Sequence, residues 1–173
     1  MRKVLLGLLV VLATTFFFAS CASKTEILQK AVEKVKADGN MPKTEGGITM
    51  DVAFDAASNT ITYSLDMPEQ VYTSMKAMAA QPTYKDFFMY SNKDNEAYKA
   101  LAKLLLDVNG KLQFSYACSG QAPFSIEFGA DYLKKLVDGT LTPTEMPQVQ
   151  QPESVPAEAA MQGDGEGVEM DEE

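Results

Sequence analysis

The chain has 173 residues and a formal net charge of −9, from 15 Lys or Arg against 24 Asp or Glu, and it contains no His and no Trp. Without His it lacks the commonest general base and metal ligand, and beyond Arg2 it lacks the guanidinium that clamps phosphates and carboxylates. Residues 142–173 hold nine acidic groups and no basic one, while residues 22–141 hold 13 Lys against 15 Asp or Glu, so no concentrated basic face is present for nucleic acid.

Arg2 and Lys3 precede an apolar run from Val4 to Phe18, interrupted only by Gly7, Thr14 and Thr15. A charged start, a run of this length and small residues after it define a secretory signal over residues 1–20. The run is shorter than the roughly 20 apolar residues of a spanning helix. The sequence Phe18-Ala19-Ser20-Cys21 resembles the lipobox of bacterial lipoproteins. Phe18 departs from that pattern, where Leu is commoner. The resemblance implies cleavage between Ser20 and Cys21, diacylglycerol on the Cys21 sulfur and acylation of the new amino group. One chain anchors marginally and two or three hold firmly, at about 0.8 kcal/mol per buried methylene. Ala22 in place of Asp favours the outer membrane. Without an acidic cluster in residues 23–26, the reading faces the periplasm, with surface exposure left open. An ordinary secretory signal with an incidental Cys is the competing reading. Residues 21–24 are the lipidated start and tether.

Residues 25–141 are expected to form the globular domain. The first helix spans 25–38. Ser23 and Glu26 have capping-box spacing, with Thr25 as a competing cap. Ile27, Leu28, Ala31, Val32 and Val35 form its apolar stripe. Residues 41–47 read as a loop. Ile48, Met50, Val52 and Phe54 alternate with polar or small residues, as do Ile61, Tyr63, Leu65 and Met67, so two half-buried strands form a hairpin. Pro68 suits the first turn of a helix whose stripe is Val71, Tyr72, Met75, Met78 and Ala79. After the Gln81-Pro82 break comes an aromatic segment, 84–90. Ser91 or Asn92 is the expected cap of a helix through Leu106. Leu112, Phe114, Tyr116 and Cys118 alternate in a third strand, and Phe124, Ile126 and Phe128 in a fourth, which starts after Pro123. A last helix covers 130–137.

The order helix, hairpin, helix recurs. The expected fold is therefore α+β, with a four-stranded antiparallel sheet from two β-hairpins and helices packed on one face. It reads as a duplicated, or at least pseudo-symmetric, αββα unit. Residues 142–173, with repeated Pro and Gly and one sign of charge, are expected to be a disordered acidic tail.

Little catalytic chemistry is declared. Asp51, Asp55 and Asp66 share the polar side of the first hairpin, where they solubilise a sheet face more readily than they form an acid-base pair. No phosphate loop, nucleophile elbow, metal-ligand cluster or cofactor motif appears. Cys118, alone once Cys21 is modified, cannot form an internal disulfide and reads as a small core residue. Met75, Met78, Phe87, Phe88, Met89 and Tyr90 crowd around the Pro82 break. They are either core or an adaptable interaction patch, and exposure of Phe87, Phe88 and Met89 together would favour the patch.

Gly46-Gly47-Ile48-Thr49, Leu112-Gln113-Phe114-Ser115-Tyr116, the Lys-rich first helix and the short lipid signal resemble small lipoproteins of unknown function common in Bacteroides-like bacteria. That resemblance implies a compact α+β domain and supplies no site residues. The expected function is a non-enzymatic, membrane-anchored binding module of the cell envelope, held by lipid on Cys21 and meeting an envelope protein. The alternatives are a structural subunit of an envelope complex, or a hydrolase using carboxylates or Ser/Lys groups. Oligomeric state is open.

Overall fold

A computed structural model describes residues 23–146. The signal, the cleavage site, Cys21 and the tail beyond residue 146 lie outside the described residues. Helix α1, Lys24–Ala37, is capped by Ser23 and not by Thr25. The Glu26 amide donates to Ser23 Oγ (3.2 Å) and the Ser23 amide donates to Glu26 Oε2 (3.1 Å). This reciprocal box satisfies two amides that the helix itself leaves unpaired. Leu28, Ala31, Val32 and Val35 are buried at helical spacing, and Gly39 (φ 71°) turns the chain out of the helix.

Residues 41–47, expected to be a loop, contain a strand. Lys43–Glu45 is strand β1, paired antiparallel with β2, Ile48–Asp55. Gly46 and Gly47 both have positive φ (59° and 78°), the requirement of a two-residue hairpin turn whose twist matches its strands. All three β1 residues are exposed, so no apolar alternation marked them. A short edge strand bearing Lys43 and Glu45 also resists pairing with another chain.

Strand β3, Thr60–Asp66, returns antiparallel to β2 and aligns Met50 with Leu65, Val52 with Tyr63 and Phe54 with Ile61. Three helices follow: α2 (Glu69–Ala79), α3 (Tyr84–Ser91) and α4 (Glu96–Asp107). The cap of α4 is Asn95, four residues after the expected Ser91 and three after Asn92. Its Oδ1 accepts from the Ala97 and Tyr98 amides at 3.0 and 3.3 Å. The aromatic segment before it is α3, and the Asn92 side chain instead donates to the Phe88 carbonyl of that helix (2.7 Å).

Strand β4, Lys111–Ala117, lies parallel to β3, and β5, Phe124–Phe128, pairs antiparallel with β4. Helix α5, Ala130–Asp138, closes the fold. The class is α+β, but the sheet is five-stranded and mixed, in the order β1-β2-β3-β4-β5, where four antiparallel strands were expected. Alternation reports which face of a strand is buried and carries no information on its direction. The long helical connection re-enters the sheet at the end where β3 began, and a parallel pair needs such a crossover.

The duplicated αββα unit is corrected by the same order. A two-fold that exchanged β2 with β4 would pass through β3 and leave it in place, so it cannot also carry β3 onto β5.

Alternation fills one sheet face with Met50, Val52, Ile61, Tyr63, Leu65, Leu112, Phe114, Tyr116, Ile126 and Phe128, all buried. The helices cover that face with Leu28, Val35, Tyr72, Met89, Leu101, Leu105, Leu133 and Leu136. The opposite face carries Asp51, Ser64, Ser115 and Ser125 in one row and Ala53, Thr62, Gln113 and Glu127 in the next.

Candidate functional site

The expected interaction patch divides on folding. Phe88 (8% exposed) and Met89 (0%) are core residues. Phe88 stands between sheet and helices, its ring 5.0 Å from Phe114, 5.1 Å from Phe128 and 6.3 Å from Tyr98. Met75 and Met78 are half-buried against the same core, and Phe87 and Tyr90 are half-buried at its margin. The six residues therefore form no joint exposed surface. The correction has a physical reason: a short helix laid on a sheet points its large side chains at the gap beneath, and aromatic stacking fills that gap.

The three carboxylates of the first hairpin stay on the polar face but hold different local partners. Asp51 pairs with Lys36 at 2.9 Å. Asp55 accepts from Ser58 Oγ (2.6 Å) and the Ala57 amide (3.0 Å), and these bonds hold its carboxyl below the usual range. Asp66 lies opposite Thr49 and Ala117. Cys118 is buried with the core and has its Sγ 3.7 Å from the Ser119 carbonyl oxygen. Among the described residues no group of three His, Cys, Asp or Glu comes together to hold a metal, and no helix is long and apolar enough to cross a membrane. A shallow open groove beside α5 is lined by Asp131, Lys134, Lys135, Asp138 and Thr140.

Sequence reasoning missed a cluster of phenols beneath the helices. Tyr63 of β3, Tyr116 of β4, Tyr84 of α3 and Tyr98 of α4 are all buried. Burial pushes each of the four phenols up from its ordinary pKa, and neighbouring phenols add to the shift for Tyr98 and Tyr116. The hydroxyls of Tyr63 and Tyr98 have no partner among the described residues. The available signal was four tyrosines at inward positions, but only the crossover brings strands and helices of different segments together.

The end of the body where α1 starts is cross-linked by side chains from several segments. Lys24 Nζ reaches Asp107 Oδ2 (2.6 Å), and Thr25 Oγ1 donates to Asn59 Oδ1 (3.2 Å). Asn59 Nδ2 donates to the Val108 carbonyl (2.9 Å), while the Lys111 amide donates to the Asn59 carbonyl (3.1 Å). A β-carbon on Gly110 would stand 2.4 Å from that same carbonyl oxygen, so only Gly fits. Three distant segments, at residues 23–26, 56–60 and 107–111, thus become one rigid end. It begins two residues after Cys21.

No family model and no curated protein matches the chain. Among solved structures, it is similar to a Pseudomonas aeruginosa protein described as a "putative secreted protein", at 18% identity and a TM-score of 0.46. The match covers 66% of this chain and 99% of that one.

Proposed function

We propose that this chain is a bacterial lipoprotein, cut between Ser20 and Cys21 and anchored by acyl chains on Cys21. Its α+β body is then a non-enzymatic binding module of the cell envelope, at the outer membrane and facing the periplasm. One observation carries the reading: Cys21 stands in lipobox register directly behind a signal-type apolar run. The described fold starts with the cap at Ser23, so a cut before Cys21 removes none of it.

The test is intact-mass spectrometry of the protein extracted with detergent from its own envelope. The expected product starts at Cys21 and carries the mass of a diacylglycerol and an acyl chain, and Cys21→Ala abolishes that mass and the membrane association. An unmodified Cys21 in the mature protein overturns the lipoprotein reading. Crosslinking of the lipidated protein in the same envelope tests the binding role, with a reproducible envelope protein expected. Recovery of no such partner overturns that role and leaves the anchor standing.

A further inference from the structure

We infer that the rigid end around the α1 start is a membrane-contact surface, held flush against lipid headgroups with the sheet standing up from the bilayer. This rests on the lipidation of Cys21 proposed above. Reach sets this position. Two peptide steps separate Cys21 from Ser23, and two steps span at most about 7 Å. Ser23 is not slack, because both its amide and its hydroxyl are held in the capping box. The bonds from Thr25 to Asn59 and from Asn59 to Val108 then fix the neighbouring turns to the same helix start. A lipid on Cys21 therefore brings residues 56–59 and 108–110 to the headgroup layer along with it.

The chemistry of this end suits that position. Ala56, Ala57, Ser58 and Asn109 are exposed, small or neutral, and fit among headgroups without entering the acyl region. Of the charges beside them, Lys24 is matched by Asp107 and Lys111 by Glu127 at 3.0 Å, while the Asp55 carboxylate is held by Ser58 Oγ and the Ala57 amide. Neutral headgroup packing is thus the fit, not attraction of a basic patch to anionic lipid. The opposite end of the sheet, with the Gly46-Gly47 turn and residues 119–122, lies about 23 Å away, from seven strand steps of ~3.3 Å along β2. The polar sheet face is then presented sideways, clear of the bilayer.

The experiment uses the lipidated full chain in phosphatidylcholine vesicles doped with headgroup-nitroxide lipid. A Cys118→Ala background carries a fluorophore at Ala57→Cys or at Ala122→Cys. Both sites are exposed alanines, one at each end of the sheet. Several-fold stronger quenching is expected at position 57 than at 122, since the headgroup layer is only about 5–8 Å deep per leaflet. Inserting roughly 12 Gly/Ser residues between Ala22 and Ser23, with an r.m.s. reach of about 19 Å, is expected to bring the ratio near one. Equal quenching at both positions, with lipid on Cys21 verified by mass, overturns this inference alone. An unmodified Cys21 overturns the inference and the lipoprotein reading together.

Discussion

The two faces of the sheet share strands, register and backbone hydrogen bonds, yet they meet different fates. One holds Tyr63, Phe114, Tyr116 and Phe128 under a layer of helices, with Tyr63 and Phe114 stacked at 5.4 Å. The other holds Ser, Thr, Asp and Gln, with contacts such as Thr62 Oγ1 donating to Gln113 Oε1 at 3.0 Å. Free energy is concentrated on the first face, where burial and aromatic packing act together. The second face contributes solubility and exposed ion pairs of little net value. A side chain two atoms away across the backbone can therefore differ severalfold in its effect on stability.

The largest expected effect lies at alkaline pH. The four buried phenols have folded-state pKa values raised above the ordinary value near 10. Their contribution is fully present below pH 10. It is lost above that, because the unfolded chain releases protons that the folded one retains. Each phenol that stays protonated in the folded chain adds about 1.4 kcal/mol per pH unit to that fall. Urea denaturation between pH 8 and 11 measures it, and a flat profile would remove the cluster's burial. Tyr98→Phe is expected to make that fall shallower. At pH 7 it should leave stability unchanged or raised, since it deletes a hydroxyl with no partner.

Next in size is Phe88→Ala, which empties the space among Phe114, Phe128 and Tyr98 and is expected to cost about 3–5 kcal/mol by urea denaturation. A surface residue of a binding patch would show almost no change, so this variant separates the two positions for Phe88. Gly110→Ala, which drives a β-carbon against the Asn59 carbonyl, is expected to cost about 1–3 kcal/mol in the same assay. A neutral result would show that the end around the α1 start yields easily. Smallest is Ser115→Ala on the polar face, expected within about 0.5 kcal/mol of the parent. A loss as large as that of Phe88→Ala would mean that this face is covered.

Much of the fold was legible because strands and helices have different apolar periods. Strands β2 and β3, the Ser23 cap and the stripe of α1 follow from local spacing, which tertiary contacts had no reason to override. Strand β1 was not legible, since three exposed polar residues carry no period and only the Gly pair marked the turn. Helix α3 shows in the sequence only as an aromatic segment, and the cap signals at Ser91 and Asn92 stand four and three residues before the cap of α4 at Asn95. Asn92 has the right chemistry for a cap, but its side chain is taken by Phe88. The site was less legible than the fold. An apolar side chain has the same formula in a core as on a patch, and Met89 could be assigned only once a sheet lay beneath it.

By itself, the sequence determined the periods of the main strands and helices, the α+β class and the polar character of one sheet face. All of these depend on neighbours within a few residues. The tertiary structure decided the parallel join of β3 and β4, the burial of Phe88 and Met89, the meeting of four phenols and the joining of three segments around Asn59. Each of those depends on how a 44-residue connection, 67–110, crosses the sheet, and strand direction leaves no mark in the pattern of apolar residues.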